Sequence, residues 1–262
     1  MAGGQLPLCE NAVKIIHKRL SLSTCLRDFQ QERGQRMRDC SVRGCTKSAS
    51  GQFGSMCAGH QQRNRRHGDA RQDSIRYAEI KPYVVRVEKL IERDKSGKIE
   101  NGLDKLVAIV REYAEGIVSD FEHGRAMNKH KVAAAKEILT VFLDFTPAQC
   151  ASVIAGMYLF QDVNEHRFAS DRGFTFELVR RFRSISDANI GLYEDGYTGR
   201  VRRAYKEIPP KTIEQLGAML IEGFKRFVAH VRLHEQRKAE LEREARALQE
   251  EGFASVQEES HD

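Results

Sequence analysis

Four side chains between residues 40 and 60 have the types and the spacing to hold one metal ion. Four residues separate Cys40 from Cys45, two separate Cys57 from His60, and eleven lie between the pairs. Zinc prefers thiolate sulfur and imidazole nitrogen, four of them in a tetrahedron. Two ligands a few residues apart let one turn of backbone aim both at the same ion. Four protein ligands fill the coordination sphere, so the expected cofactor is one structural zinc ion rather than a catalytic one. Such an ion contributes on the order of 10 kcal/mol to a small module. His67 competes for the fourth position, and is otherwise a surface or phosphate-facing histidine.

The same stretch carries the positive charge. From Glu32 to Arg76 ten Lys and Arg face four acids, an excess equal to the whole chain's +6, so the remainder is neutral. Charge concentrated in this way attracts phosphates through its long-range field and through counterion release. The first expected set of nucleic-acid contacts is Arg63, Arg65, Arg66 and Arg71, with Arg36, Arg38, Arg43 and Lys47 beside it. If residues 61–67 are helical, Arg63, Arg66 and His67 share a face. A second set is Arg180, Arg181, Arg202 and Arg203, with Arg172, Arg183, Arg200 and Lys206 around them. Its two segments flank a Gly-containing loop at 184–197. They read either as a helix-turn-helix variant with a long turn or as a basic bundle surface paired with an acidic tail. Tyr193, Tyr197 and Tyr205 lie between these charges, where they could stack on bases.

Known catalytic patterns fit poorly. His60, Asn64 and His67 are too closely spaced for an HNH nuclease hairpin. His234 and Arg237 match a recombinase pair, but the last tyrosine, Tyr205, precedes them. Asp162, Glu165 and His166 read as a solvated helix face. No P-loop, dinucleotide fingerprint or nucleophile elbow is present.

The elements that must position these residues read as helices. Ile80, Val84, Val87, Leu90 and Ile91 form one face of a helix over 73–94; Leu103, Leu106, Val107, Val110, Ala114, Ile117 and Phe121 form another. Asn128, Thr146-Pro147 and Ser170 are start signals for three more. After Pro209-Pro210 the longest helix runs from Lys211 to Leu248. Ile213, Leu216, Leu220, Phe224, Phe227, Val228 and Val231 are its core face, and its second half projects. Apolar residues recur at helical rather than alternating spacing, so strands are expected only within the metal module. The fold class is therefore mainly α. A small zinc module (39–72) sits between an N-terminal helical segment (1–38) and an α-helical domain (73–235), followed by a projecting helix and acidic tail (236–262). Cys9, Cys25 and Cys150 sit in apolar contexts and are expected to be buried thiols. No signal peptide or membrane span is read, so the expected compartment is the cytoplasm.

Cys40, Cys45, Cys57 and His60, followed by Arg63, Arg66, Gly68 and Asp69, resemble a small zinc module of phage and mobile-element DNA-associated proteins. In this chain Gln61-Gln62 stand where an aromatic residue often follows the histidine. The resemblance covers residues 38–70 and implies a nucleic-acid context. Together with the charge count it gives the expected function: a non-enzymatic accessory protein that binds nucleic acid, DNA rather than RNA. Residues 211–250 would serve a protein partner or self-association. Two alternatives are a protein–protein adaptor stapled by zinc and a metal-dependent nuclease with an unrecognised site.

Overall fold

The structure is a computed structural model that describes residues 38–51, 53–186 and 190–259, without the side chains of 190, 202–205 and 251–259. The helical segment expected over 1–38, with Cys9, Cys25 and Arg36, lies outside the described residues apart from Arg38. The chain is mainly α-helical. Its helices are α1 (Ala58–His67), α2 (Tyr77–Arg93), α3 (Lys98–Glu122), α4 (Lys129–Asp144), α5 (Pro147–Val163), α6 (Asp171–Arg183) and α7 (Pro210–Glu259). A short 3-10 turn spans Glu165–Arg167. The chain divides into two units, residues 1–59 and 60–262. The division falls inside α1, so residues 60–72, grouped with the metal module on sequence grounds, belong with the helices that follow.

In the first unit a backbone knuckle replaces regular structure. Asp39 and Ser48 form an isolated antiparallel bridge. Around it Cys40 N–H donates to Lys47 O at 3.0 Å and Ala49 N–H to Arg38 O at 2.7 Å. Gly44, at φ 80°, occupies the left-handed region that a side chain resists, and so turns the chain into Cys45.

In the second unit the helix starts follow local chemistry. Asn128 accepts from His130 N–H, Thr146 from Gln149 N–H ahead of Pro147, and Ser170 from Gly173 N–H. The hub is α5, which buries residues all round, from Cys150 to Phe160, instead of along one stripe. It packs against α2, α3, α6 and α7. Tyr83, Phe160, Phe168, Phe174 and Tyr158 form a chain of rings with centroids 4.9–5.8 Å apart, linking α2, α5 and α6. Leu216, Leu220, Phe224, Phe227, Val228 and Val231 close the core from α7, and beyond residue 235 the described side chains of that helix are exposed.

Two expectations need correction. Strands are not confined to the metal module: β1 (Ile190–Glu194) pairs antiparallel with β2 (Val201–Tyr205). The segment carrying Arg202 and Arg203 is therefore half of a hairpin, which removes the helix-turn-helix reading. Asp195 O accepts from Thr198 and Gly199 N–H at the turn, and Gly199 takes φ 61°. The second correction is the start of α2, at Tyr77 rather than near Asp73. Residues 72–76 form no regular element and are tied down by Gln72, which bonds Arg167 O and Ala169 N–H, and by Ile75 N–H, which donates to Glu177 of α6.

Candidate metal centre and basic cleft

The ligand atoms of Cys40, Cys45, Cys57 and His60 all lie within 4.8 Å of one another. Among the described residues no other group of three or more His, Cys, Asp or Glu comes together in this way. Cys40 and Cys57 are buried, and Cys45 is half-buried. Cys45 Sγ lies 3.9 Å from Cys57 Sγ, and Cys57 N–H donates to Cys40 Sγ at 3.3 Å. His60 comes from the first turn of α1, so the ligand spacing Cys57-x2-His60 spans the helix start.

The Cys45 thiol is held above its ordinary range. The backbone hydrogen bond at Lys47 pulls it down, but burial and the neighbouring Cys40 and Cys57 thiols together outweigh that pull. Crowded thiols resist ionising beside one another, and a bound cation reverses the balance by stabilising every thiolate at once. The four residues could therefore hold a metal ion. Cys150 shows the contrast: burial in the core pushes its thiol up to about 12, which leaves it an inert packing group.

His67 is not in this cluster. Its Nδ1 lies 2.6 Å from Glu177 Oε1 on α6. Glu177 is fully buried, and its second oxygen accepts from Ile75 N–H at 3.1 Å. Gln72, also buried, donates to Asp73 O and Arg167 O and accepts from Ala169 N–H. Between these contacts Gly68 ends α1 at φ 80°, its N–H donating to Asn64 O. A Cβ there would meet Arg172 O at 2.7 Å and the Phe176 ring at 2.8 Å. Gly68 thus supplies both a left-handed conformation and a close approach, and the segment after the basic helix is strapped to α6.

That strap joins two basic sets that lie far apart in the sequence. Arg65 and Arg66 of α1 line a cleft of about 350 Å³ together with Arg180, Arg181 and Arg183 of α6 and Lys206. Glu207 is the one carboxylate in the lining, and it pairs with Arg66 at 3.3 Å. Arg183 is buried, donating to Glu137 Oε2 at 2.8 Å and to Lys206 O at 2.9 Å, which fixes the floor. Arg180 lies 3.8 Å from Glu177 and donates to Ser74 Oγ. Among the described residues no carboxylate pairs with Arg65 or Lys206, so the cleft keeps a positive excess at its mouth.

Other expected contacts fall elsewhere. Arg38, Arg43 and Lys47 are exposed on the metal-binding unit, and Arg71 is exposed after α1. Arg63 pairs with Asp73 at 3.5 Å and stays exposed, as does Arg66, whereas His67 on the same face is turned to Glu177. Arg172 is a structural tie. It donates to Glu214, Asn64 and Gly68 O, with its guanidinium 4.7 Å from the Phe176 ring centroid. Arg202 and Arg203 sit in β2, where only the backbone is described. Tyr197, at the hairpin turn, is fully exposed and Tyr193 half-exposed. Asp162 pairs with Arg232 through two hydrogen bonds.

Among the described residues no single helix is long and apolar enough to cross a membrane. Comparison of the chain with protein-family models, with curated proteins and with solved structures gives no match.

Proposed function

We propose that this protein is a non-enzymatic nucleic-acid-binding protein whose metal is a structural zinc ion and whose cleft grips backbone phosphates. The carrying observation is the cleft, since six cationic side chains from three segments, at 65–66, 180–183 and 206, line it with one carboxylate, Glu207, and among the described residues no carboxylate pairs with Arg65 or Lys206. Glu137, Glu207 and Glu177 offset Arg183, Arg66 and Arg180 from within the chain, and the excess left at Arg65 and Lys206 attracts an anionic partner. Most contacts of this kind go to phosphate, so they supply affinity and register rather than sequence reading. The exposed Arg38, Arg43, Lys47 and Arg71 would extend the contact surface.

Zinc fits the donor set. With zinc–sulfur bonds of about 2.3 Å, a tetrahedron has sulfur–sulfur edges of about 3.8 Å, against 3.9 Å between Cys45 and Cys57. When bound, the ion would supply a fixed cross-link among the four ligands. The protein's own work is to hold α1, through Gly68, Gln72 and Glu177, so that Arg65 and Arg66 stand beside α6. A reducing compartment such as the cytoplasm keeps the thiols available as ligands. The resemblance of residues 38–70 to modules of phage and mobile-element proteins favours DNA and an accessory role.

The test is fluorescence anisotropy with labelled duplex DNA, single-stranded DNA and RNA, on wild type and on Arg65→Ala/Arg66→Ala. The expected result is tighter binding to duplex DNA, weakened about tenfold or more by the double substitution. Equal affinities for wild type and variant on all three nucleic acids would overturn the reading.

A further inference from the structure

The long helix α7 and helix α3 leave a second concave surface that the nucleic-acid reading does not use. It is a groove of about 1040 Å³. On α3 its wall is Ile99, Gly102, Leu106, Ile109 and Tyr113, a stripe at alternating spacings of three and four, with the buried Leu103 and Val110 at its base. Ile109 and Tyr113 are 67% and 53% exposed. Met219 and Ala218 line the groove from α7, and Gly223 sets its depth. A Cβ on Gly223 would meet Val110 Cγ2 at 2.7 Å, so the two helices touch at that point and diverge above it. The rim is cationic: Lys98, Lys105, Lys131, Lys225 and Arg226 surround one carboxylate, Glu222.

The chain also carries an element of complementary character. Beyond residue 235 the described side chains of α7 are exposed, and Leu233, Leu241 and Leu248 are 46%, 65% and 69% exposed. From Lys238 to Leu248 three acids alternate with three Lys and Arg, and five further acids follow up to Asp262. The helical phase relates the two halves of α7. Residues eighteen apart lie five full turns apart on the same face. Leu233, Leu241 and Leu248 stand eighteen after Gln215, Gly223 and His230, all of which line the groove. Glu240 and Glu244 stand eighteen after Glu222 and Arg226 in the same way, and Arg237 and Arg243 stand eighteen after Met219 and Lys225. One continuous helix therefore presents a groove wall in its first half and a leucine seam, flanked by two glutamates and two arginines, in its second, on one face. Within the described α7 helix the seam runs on from the groove wall along the same axis, so it cannot fold back into its own groove. A second copy running antiparallel can supply it, and the arrangement is self-complementary about a two-fold axis near residues 231–234.

We infer that this protein forms an antiparallel homodimer in which the projecting half of α7 from each copy, carrying Leu241 and Leu248, lies in the α3–α7 groove of the other. Leucines cover the Leu106–Ile109–Tyr113 stripe, and Glu240 and Glu244 meet the cationic rim.

Sedimentation equilibrium on the full chain, freed of nucleic acid, tests this. The mass should rise with concentration toward twice the 29.8 kDa of one chain. Ile109→Glu in the groove, and Leu241→Glu/Leu248→Glu on the seam, should each weaken the dimer about tenfold or more by burying unpaired charge. All three positions are exposed, so helical circular dichroism should be unchanged. Lys105→Glu/Arg226→Glu should weaken the dimer, and adding Glu240→Lys/Glu244→Lys to that chain should restore it. A monomer at every concentration would overturn the inference. So would a dimer broken by the leucine substitutions yet indifferent to Ile109→Glu, because that pattern means α7 pairs without the groove. Because no nucleic acid is present, the outcome is independent of the nucleic-acid reading.

Discussion

Replacing Glu177 should cost more than any surface charge in this protein, because one buried carboxylate holds the strap that builds the basic cleft. Its two oxygens serve separate partners, His67 Nδ1 at 2.6 Å and Ile75 N–H at 3.1 Å, and Arg180 lies 3.8 Å away. Glu177→Ala leaves the Ile75 N–H buried without an acceptor, at about 1–3 kcal/mol. It also removes a charge-assisted contact to His67, at about 1.5–3 kcal/mol. Arg180 is more than a third exposed and adds little. The sum is about 2.5–6 kcal/mol, a large share of the roughly 5–15 kcal/mol that stabilises a typical domain. Glu177→Gln keeps an acceptor for Ile75 and should cost only about 1–2 kcal/mol. The assay is urea unfolding with metal present. At an m-value of about 2–3 kcal/mol/M the alanine midpoint should fall by about 1–3 M with m unchanged. An alanine variant within about 0.5 kcal/mol of wild type, or a glutamine variant as unstable as alanine, would refute the reasoning.

Other outcomes follow from the same geometry. Purified protein should carry one zinc per chain. A strong chelator should remove it and release the fold of residues 38–60 while leaving the α-helical signal of the bundle, and Cys57→Ser should mimic the chelator. Cobalt substitution should give the intense visible bands of a tetrahedral site with thiolate ligands; octahedral-type weak bands would count against the ligand set. The Glu79 carboxyl is held below its usual range by the Arg76 backbone hydrogen bond and by Arg167. A carboxylate depressed in the folded state contributes stability that is complete above its unfolded value and lost as pH falls toward its folded one. Urea midpoints of wild type should therefore drop below about pH 4.3, and Glu79→Gln should flatten that drop while being less stable at neutral pH.

Much of this architecture is legible in the sequence because the signals are local. Thr146-Pro147, Asn128 and Ser170 announce their helices within four residues, and the core face of α7 repeats over five turns. The metal ligands are legible for the same reason, since each pair lies within one turn. The cleft is not, because Arg65 and Arg66 meet Arg180 and Arg181 only after more than a hundred intervening residues have folded. Buried Gln72 and Glu177 give no local sign of their roles; in the sequence they are ordinary polar residues. The hairpin is missed because five-residue strands holding Arg202 and Arg203 lack apolar alternation, although Asp195, Gly196 and Gly199 supply turn chemistry. His67 is misjudged because spacing alone cannot distinguish a ligand from a histidine that faces a buried acid.

The salt dependence of duplex-DNA affinity, compared between wild type and Arg65→Ala/Arg66→Ala, tests the central claim most directly. Each phosphate contact contributes about 0.9 to the slope of log affinity against log salt. If the cleft grips the backbone, the double substitution should reduce the steepness by about 2 and leave the fold intact. An identical slope in the two proteins, or binding that ignores salt, would contradict it.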